Sequence, residues 1–407
     1  MPTTFTYEAI DPAGARVKGK VEADSPEGAA TALSNQLLTP LRVSGLGTGL
    51  RREVTIPGIG GKTSLKDLAV FSRQFASMTS SGLTLLRALA ILEEQTEKPK
   101  LKEAIAQVRA EVQDGATLST ALEQHPDHFP PLMTSMVRAG ETGGFIDDAL
   151  TRIATMYEAD ANLRAKIKSA MTYPVVVLIF SLLLGTGVIL FIVPVFENMF
   201  EQLGGKLPLP TRIMVGLSHN APWILPLMVA GVFGALTAYR RAVRSSTTFR
   251  LRTDQLKLRL PVFGSLFAKL AISRWARNLG TLLAVGVPII QALDVVGGTS
   301  GNATVTAAMG EVRDTVRAGG RMSTALEKQP LFPSMVTQML QVGEESGQTT
   351  AMLDKLADYY EREVETATDS LTSAMEPLLV IVLGSVIGAM VICLYLPMFS
   401  IYQNIQG

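Results

Sequence analysis

Thiols and metal ligands are scarce in this chain, which holds one cysteine, Cys393, and three histidines among 407 residues. A single thiol cannot form an internal disulfide, and His125, His128 and His219 show no metal-ligand spacing. The charge is nearly balanced, with a net value of +1, which argues against a general nucleic-acid-binding protein. We therefore expect no metal site and no direct binding of nucleic acid.

Charged residues are missing from three long apolar stretches, at 173–196, at 221–239 and from Pro377 onward. About 20 apolar residues in a helix span the roughly 30 Å of hydrocarbon in a bilayer. A buried core helix is the alternative, but a core helix of this length rarely lacks a polar face. The sequence therefore predicts three transmembrane helices, at 172–196, 221–239 and 377–399.

Lysine and arginine lie mainly on one side of these stretches. The basic residues before the first and after the second stretch are Arg164, Lys166, Lys168, Arg240, Arg241, Arg244, Arg250, Arg252, Lys257 and Arg259. The loop at 197–220 holds only Lys206 and Arg212, and no basic residue follows Phe399. The positive-inside rule places the loop and the 400–407 tail outside the cytoplasm. We interpret the basic connector at 240–267 as a topology anchor near anionic lipid rather than as a nucleic-acid patch.

The first residues carry no basic region followed by an apolar one, so we expect no signal peptide and a cytoplasmic N-terminus. The strand-like alternation of Thr4–Ile10 and Val17–Glu22, a helix opened by Pro26 and a possible strand at Pro40–Val43 predict a small α+β module over 1–45. The Gly-rich segment 46–63 is typical of a linker.

The chain repeats itself. A shift of 204 residues aligns Arg73 with Arg277 and the sequence Ser-Thr-Ala-Leu-Glu at 119–123 with the same letters at 323–327. After one deletion the shift becomes 203, and it aligns Glu158 with Glu361. The repeat unit is a soluble helical segment followed by one membrane helix. Two such units in one orientation need an extra crossing, which the unpaired stretch at 221–239 supplies.

Each repeat carries apolar residues at helical spacing, interrupted by Gly and Pro, which predicts about six short helices. Ser64 and Asp67 resemble a capping box at the start of the first. We therefore predict a mainly α integral membrane protein with two tandem cytoplasmic six-helix bundles, at 64–171 and 268–376, beside the three membrane helices and the α+β module.

No catalytic constellation is apparent. Gly60-Gly61-Lys62-Thr63 suggests a phosphate loop, but the first glycine of that pattern is replaced by Ile56. We expect no enzyme activity, no cofactor and no catalytic residue. The membrane cores also hold no ionisable residue, which weighs against a transporter or channel; flux in reconstituted vesicles would favour that class.

Two Gly-Glu motifs recur at equivalent positions of the repeat. Their candidate residues are Gly140, Glu141, Gly144, Gly343, Glu344 and Gly347. One interpretation is a turn, in which glycine ends a helix and a carboxylate lies near the next helix start. The other is a loop that contacts a partner. We favour the turn.

Small residues and prolines also recur in the two repeated membrane helices. Ser181 with Gly185, and Gly384 with Gly388, make small-xxx-small faces that permit close helix packing. Their recurrence predicts a helix-packing seam. The repeat-equivalent prolines near the predicted membrane boundaries are Pro174, Pro194, Pro377 and Pro397.

Several segments resemble the family of type II secretion F-proteins and type IV pilus C-proteins, over nearly the whole chain. They are the opening Phe5–Gly14, Phe71–Phe75 and the loop Leu207–Arg212. Val342–Gly347 and Leu394–Phe399 look more like the pilus branch. In the first repeat Thr142-Gly143 departs from Glu-Ser in the second, so the two bundles need not bind the same partner.

The resemblance implies a platform in the bacterial cytoplasmic membrane, at the base of a fibre machine. It implies a cytoplasmic hexameric ATPase that docks on the bundles, and a pilin or pseudopilin that enters the fibre. It also implies other inner-membrane assembly proteins and further copies of this chain as partners. The pilus platform is our first interpretation, and the platform of a type II secretion or DNA-uptake system is the alternative. Glu141 and Glu344 would then lie on surfaces that meet the ATPase or another copy.

Overall fold

The computed structural model describes residues 3–10, 16–23, 26–35, 39–45, 63–202, 209–261 and 263–405. The chain divides into two units, at 1–61 and 62–407. The predicted turn at 11–14 and nearly all of the linker lie outside the described residues.

The first unit holds a three-stranded antiparallel sheet and one helix. Its elements are β1 (Thr3–Ile10), β2 (Arg16–Ala23), α1 (Pro26–Asn35) and β3 (Thr39–Gly45). The strand order is β2-β1-β3, and Phe5 pairs with Val21 on one side and with Gly45 on the other. Ala9, Ala29 and Leu33 are fully buried, so the helix covers one face of the sheet.

The second unit begins with helices of the first repeat. They are α2 (Leu65–Ser80), α3 (Leu85–Gln95), α4 (Pro99–Gln113), α5 (Leu118–Glu123), α6 (Pro131–Gly143) and α7 (Ile146–Gly187). Ser64 and Asp67 form the predicted capping box before α2. Glycines with positive φ, such as Gly82 and Gly115, follow α2 and α4, where the chain turns in a conformation that other residues rarely adopt.

The membrane elements and the second repeat follow. They are a π-helical turn (Val188–Ile192), α8 (Val193–Gln202), α9 (Leu209–Ser245), α10 (Thr247–Arg259), α11 (Phe263–Ala284), α12 (Ile289–Thr299), α13 (Ala303–Arg317), α14 (Met322–Glu327), α15 (Ser334–Ser346) and α16 (Thr349–Ile405). In the part of the chain that the structure describes, α2–α7 and α11–α16 are therefore repeat-equivalent series of helices.

The two repeats reuse the same core contacts. Phe71 packs on Phe129 with ring centroids 5.5 Å apart, and the repeat-equivalent Trp275 packs on Phe332 at 4.9 Å. A single apolar cluster runs through both bundles without interruption. The bundles are therefore joined by buried side chains as well as by the membrane helices.

Three helical segments are long and apolar enough to cross a membrane, at 146–199, 211–243 and 349–392. Only 6%, 6% and 12% of their most apolar windows are buried inside the protein. Such a large exposed apolar surface is suited to lipid rather than water. The three predicted membrane helices are thus present.

The last helix of each repeat differs from the short helix that the sequence predicted. α7 and α16 run without a break from the bundle into the apolar segment, through Pro174 and Pro377. A proline removes one backbone donor but need not end a membrane helix, whose neighbours support it. Pro397 also lies within α16.

The predicted loop at 197–220 is also mostly helical, because α8 continues to Gln202 and α9 begins at Leu209. Pro194 is the second residue of α8, directly after the π-helical turn.

Candidate functional site

The two Gly-Glu motifs hold short helices in place. Glu141 accepts hydrogen bonds from the amides of Leu118 at 2.5 Å and Ser119 at 3.0 Å, at the start of α5. In the second repeat, Glu344 accepts from the amides of Met322 at 2.7 Å and Ser323 at 3.4 Å, at the start of α14. The first amides of a helix lack intrahelical acceptors and carry partial positive charge, so each carboxylate acts as an N-terminal cap.

The glycines of these motifs have two separate tasks. Gly144 and Gly347 end α6 and α15 with φ of 76° and 68°. Gly140 and Gly343 lie inside the helices and are buried. A Cβ at Gly140 would lie 2.7 Å from Ala149 Cβ, and one at Gly343 would lie 3.0 Å from Thr349 Cα. Glycine therefore permits each helix to approach the start of the next.

This geometry corrects one part of the turn interpretation. Gly140 and Glu141 belong to α6, and the turn itself begins at Gly144. The acidic residues at the start of α7 are Asp147 and Asp148 instead. Glu141 lies on the side of α6 that packs against α5, so its carboxylate caps α5 rather than α7.

A repeated ion pair ties the first and last helices of each bundle. Arg73 donates to both oxygens of Glu158, at 2.7 and 2.5 Å, and the equivalent Arg277 donates to Glu361 at 3.0 Å. The hydrogen bonds from Arg73 lower the pKa of Glu158, although the slight burial of this carboxylate opposes the change. Sequence reasoning aligned these residues without assigning the pairs; the recurrence of both partners was the available signal.

A cavity of about 250 Å³ lies between the two bundles, lined by α6 and α7 on one side and by α11 and α12 on the other. Arg274 contacts Asp160 across it at 3.2 Å. Burial lowers the pKa of Arg274, and Asp160 opposes that effect. The Tyr157 hydroxyl at this cavity is buried and has no hydrogen-bond partner among the described residues. Burial, and to a smaller extent the nearby Asp160 charge, raises the pKa of Tyr157. The seam between the bundles is therefore polar at this point.

The predicted packing seam is only half occupied within the chain. Ser181 and Gly185 line an apolar groove between α7 and α16, and an added Cβ at Gly185 would lie 3.2 Å from Met390 Cε. By contrast, no atom of the described residues lies within 4 Å of a Cβ added at Gly384 or Gly388. The equivalent small residues thus face different surroundings in the two repeats.

The membrane helices hold polar contacts near the π-helical turn. Ser218 on α9 donates to the carbonyl of Ile189 in the π-helical turn, at 2.7 Å. His219 and Glu197 lie 2.8 Å apart. Among the residues that the structure describes, no cluster of three metal-ligating side chains is present. These contacts join α9 to the π-helical turn and to α8.

Two family descriptions match most of the chain. Residues 71–194 and 275–397 each match the family "Type II secretion system (T2SS), protein F", and residues 1–44 match its N-terminal domain. The chain belongs to this family. Because the family domain occurs twice, the match confirms the internal repeat, and it covers the bundles together with their membrane helices.

Relatives of this F-protein family extend along the whole chain. A type IV pilus assembly protein of Thermus thermophilus is 42% identical over 99% of both chains. One from Myxococcus xanthus is 38% identical over 99% of this chain and 96% of the relative. A type II secretion system protein F of Xanthomonas campestris is 34% identical over 98% and 99%. The resemblance seen in the sequence is thereby confirmed.

Proposed function

We propose that this chain is the inner-membrane platform of a type IV pilus assembly machine. The observation that carries the proposal is that the pilus assembly proteins of Thermus thermophilus and Myxococcus xanthus are 42% and 38% identical to this chain, against 30–34% for three secretion system F proteins. The relatives are matched from end to end, so the whole architecture is shared rather than one domain.

The proposed topology places the N-terminus and both bundles in the cytoplasm, and the 197–220 region and the C-terminus outside. Arg240 and Arg241 at the end of α9, and Arg250 and Arg252 on α10, are exposed. Exposed arginines at a membrane boundary favour the cytoplasmic side, where anionic lipid attracts them. The membrane would be the bacterial cytoplasmic membrane.

We assign the division of labour as follows. Residues 64–171 and 268–376 form two six-helix cytoplasmic bundles on which a hexameric assembly ATPase docks, and the α+β module at 1–45 precedes them. ATP hydrolysis belongs to that partner. The unbroken helices α7 and α16 support this assignment, because they connect each bundle directly to the membrane, where pilin would be delivered to the fibre.

That the surfaces around Glu141 and Glu344 meet the ATPase or another copy of the chain stays a prediction. Their oxygens already accept amide hydrogen bonds within the chain. The neighbouring Arg321 and Glu345, which pair at 3.0 Å, are exposed and offer charge to a partner. We propose that the Gly-Glu motifs shape this end of each bundle.

A crosslinked affinity purification of the full chain from native membranes, followed by mass spectrometry, tests the function. We expect a hexameric assembly ATPase, a single-span pilin, other inner-membrane assembly proteins and further copies of the chain. Pseudopilins in place of pilins would support a secretion or DNA-uptake platform instead. Recovery of neither ATPase nor pilin from intact complexes would contradict the platform and direct attention to transport.

A further inference from the structure

The contact between the two repeats uses different surfaces on its two sides. The first repeat contributes a surface that we call the front face, with Met156 and Asp160 in the bundle and Ser181 and Gly185 in the membrane. The second repeat contributes another surface, the back face. Its members are Arg274, Asn278, Val382, Leu383, Val386 and Met390. Because the repeats are copies of one unit, each carries an equivalent of both surfaces. The internal contact uses the front face of the first repeat and the back face of the second, so the back face of the first and the front face of the second stay unused.

The unused back face of the first bundle is open. Val70 is equivalent to Arg274 and is 49% exposed. Together with Lys66, Arg73 and Gln74 it lines an open pocket of about 260 Å³. The described residues therefore leave uncovered, in the first repeat, the surface that contacts the neighbouring repeat in the second.

The unused front face of the second bundle is also uncovered. Tyr359 is equivalent to Met156 and is 39% exposed. Glu363 is equivalent to Asp160; it pairs with Lys269 on its own bundle at 2.6 Å rather than with an arginine across a seam. The cytoplasmic part therefore presents two complementary free surfaces at opposite ends of the repeat pair.

The membrane part shows the same offset independently. On α16, Gly384 and Gly388 are equivalent to Ser181 and Gly185, and a Cβ added at either would meet no neighbouring atom of the described residues within 4 Å. On α7, the equivalents of the groove residues Val382, Leu383 and Val386 are Ile179, Phe180 and Leu183. These three side chains are 50%, 65% and 67% exposed. The small-residue face and the surface that would receive it are both free.

We propose that a second copy of this chain docks the front face of its second repeat onto the back face of the first repeat, in a head-to-tail contact. This contact specifies how copies of the chain associate in the proposed platform, and it rests on the proposed function only for that association. α7 and α16 pack through Leu163 with Val364 and Leu371 in the cytoplasmic part, and through Gly185 with Met390 farther along. The two helices therefore run parallel, so repeating their contact keeps every copy in the same membrane orientation.

The chemistry of the free faces favours a copy of the chain over a lipid. Lys66 beside Val70 is exposed and would face Glu363, which corresponds to the acidic side of the internal seam. Gly384 and Gly388 allow two helix backbones to approach closely, which a lipid chain does not require. A heterologous contact of this kind builds a ring when it closes and an open helix when it does not.

Cysteine crosslinking in native membranes tests the cytoplasmic half of the contact. In a Cys393→Ser background, Val70→Cys and Glu363→Cys are placed on separate, differently tagged copies of the full chain. After treatment with a short bismaleimide, we expect a crosslinked dimer carrying both tags when the two variants are co-expressed. Neither variant alone gives a dimer, because each interface then holds only one thiol.

A second pair tests the membrane half. Gly187→Cys and Gly388→Cys on separate copies correspond by repeat to Met390 and Gly185, and we expect a mixed dimer after treatment with a short membrane-permeant bis-methanethiosulfonate. Gly185→Cys with Met390→Cys in one chain is the matched control, and we expect an internal crosslink there because the Met390 side chain reaches Gly185. If the control forms while neither mixed pair crosslinks, or if single variants dimerise, the head-to-tail contact is wrong. Recovery of the ATPase in the same membranes separates that result from failure of the platform function.

Discussion

At the residue scale, both repeats keep a glutamate together with the helix amides that donate hydrogen bonds to it. Glu141 and Glu344 lie one helical turn before the glycines that end their helices, and each accepts from two amides of a short helix. α5 and α14 have only six residues, too few to be stable by themselves. These half-buried caps therefore compensate for the weak intrinsic stability of the two short helices.

Replacing Glu344 with alanine should loosen α14 without unfolding the bundle. Loss of an N-terminal cap costs about 1–2 kcal/mol, which corresponds to roughly tenfold faster local exchange or more. We expect this increase at the amides of Met322 and Ser323, measured by hydrogen–deuterium exchange on the full chain.

Glu345→Ala is the matched control, because the adjacent carboxylate is exposed and pairs with Arg321 on the surface. It should leave exchange in α14 within about twofold, since exposed ion pairs contribute little. Equal effects of the two substitutions would show that Glu344 is not a cap.

The recurring glycines and glutamates are visible in the sequence, but the amides that Glu141 and Glu344 cap are not. Glycine before a new helix has a local signature, which periodicity and turn preference detect. The contact from Glu344 to Met322 spans 22 residues and depends on how two helices cross. Only the packed structure determines that contact, and the same holds for Arg73 with Glu158.

At the scale of the element, the end of α7 differs from the equivalent part of α16. The amide of Val193 donates to the carbonyl of Val188, five residues back. In that register the next donor to the Ile189 carbonyl would be residue 194, a proline without an N–H group. Ser218 fills this position at 2.7 Å, so α9 completes the hydrogen bonding of the π-helical turn.

Ser218→Ala should lower the free energy of unfolding in detergent by about 1 kcal/mol, a magnitude typical of hydrogen bonds between membrane helices. In a Pro194→Ala background the cost should be much smaller, because residue 194 then offers its own amide to Ile189. A double-mutant cycle on thermal or denaturant unfolding measures this coupling.

Ser181→Ala is the control for the cycle, since Ser181 donates to the carbonyl of Val177 within its own helix. That carbonyl also has a backbone donor, so the loss should be small and independent of Pro194. Additive effects of Ser218→Ala and Pro194→Ala would contradict the proposed replacement.

Helix ends were the least predictable feature of the elements. The apolar stretches identified the three membrane helices correctly because hydropathy reports contact with lipid directly. Pro174 and Pro377 suggested boundaries, yet both helices continue through them. A proline near the membrane surface marks a change of surroundings rather than an end of hydrogen bonding.

At the scale of the whole molecule, duplication accounts for both the symmetry and its breaking. Repeat alignment predicted two copies of one unit, and the family match confirms them. The seam between the copies was not predictable, because Asp160 with Arg274 has no equivalent pair: the corresponding residues are Glu363 and Val70. The two bundles bind each other through one surface of the first and a different surface of the second. The equivalent of each surface on the other bundle stays free.

The proposed topology predicts opposite labelling of two exposed positions in the Cys393→Ser chain. Leu209 is 72% exposed at the start of α9, and Leu209→Cys should react with an impermeant maleimide in intact spheroplasts. Arg250→Cys on α10 should react only after lysis, because the proposed topology places it on the cytoplasmic side.

Val229→Cys, near the middle of the second membrane helix, should stay unlabelled in both conditions because it faces lipid. Labelling of Arg250→Cys before lysis, with protection of Leu209→Cys, would invert the topology.

The length of α16 has a mechanical consequence. Its 57 residues extend about 85 Å at 1.5 Å per residue, far more than a membrane is thick. The helix continues past Pro377 and Pro397, each of which removes only one backbone donor, so a single helix can transmit torque from the second bundle through the membrane segment. α7 instead ends in a π-helical turn followed by Pro194, where the change in hydrogen-bond register makes the helix easier to bend. If a cytoplasmic partner moves both bundles, as the proposed function requires, the two repeats should transmit that motion through the membrane unequally.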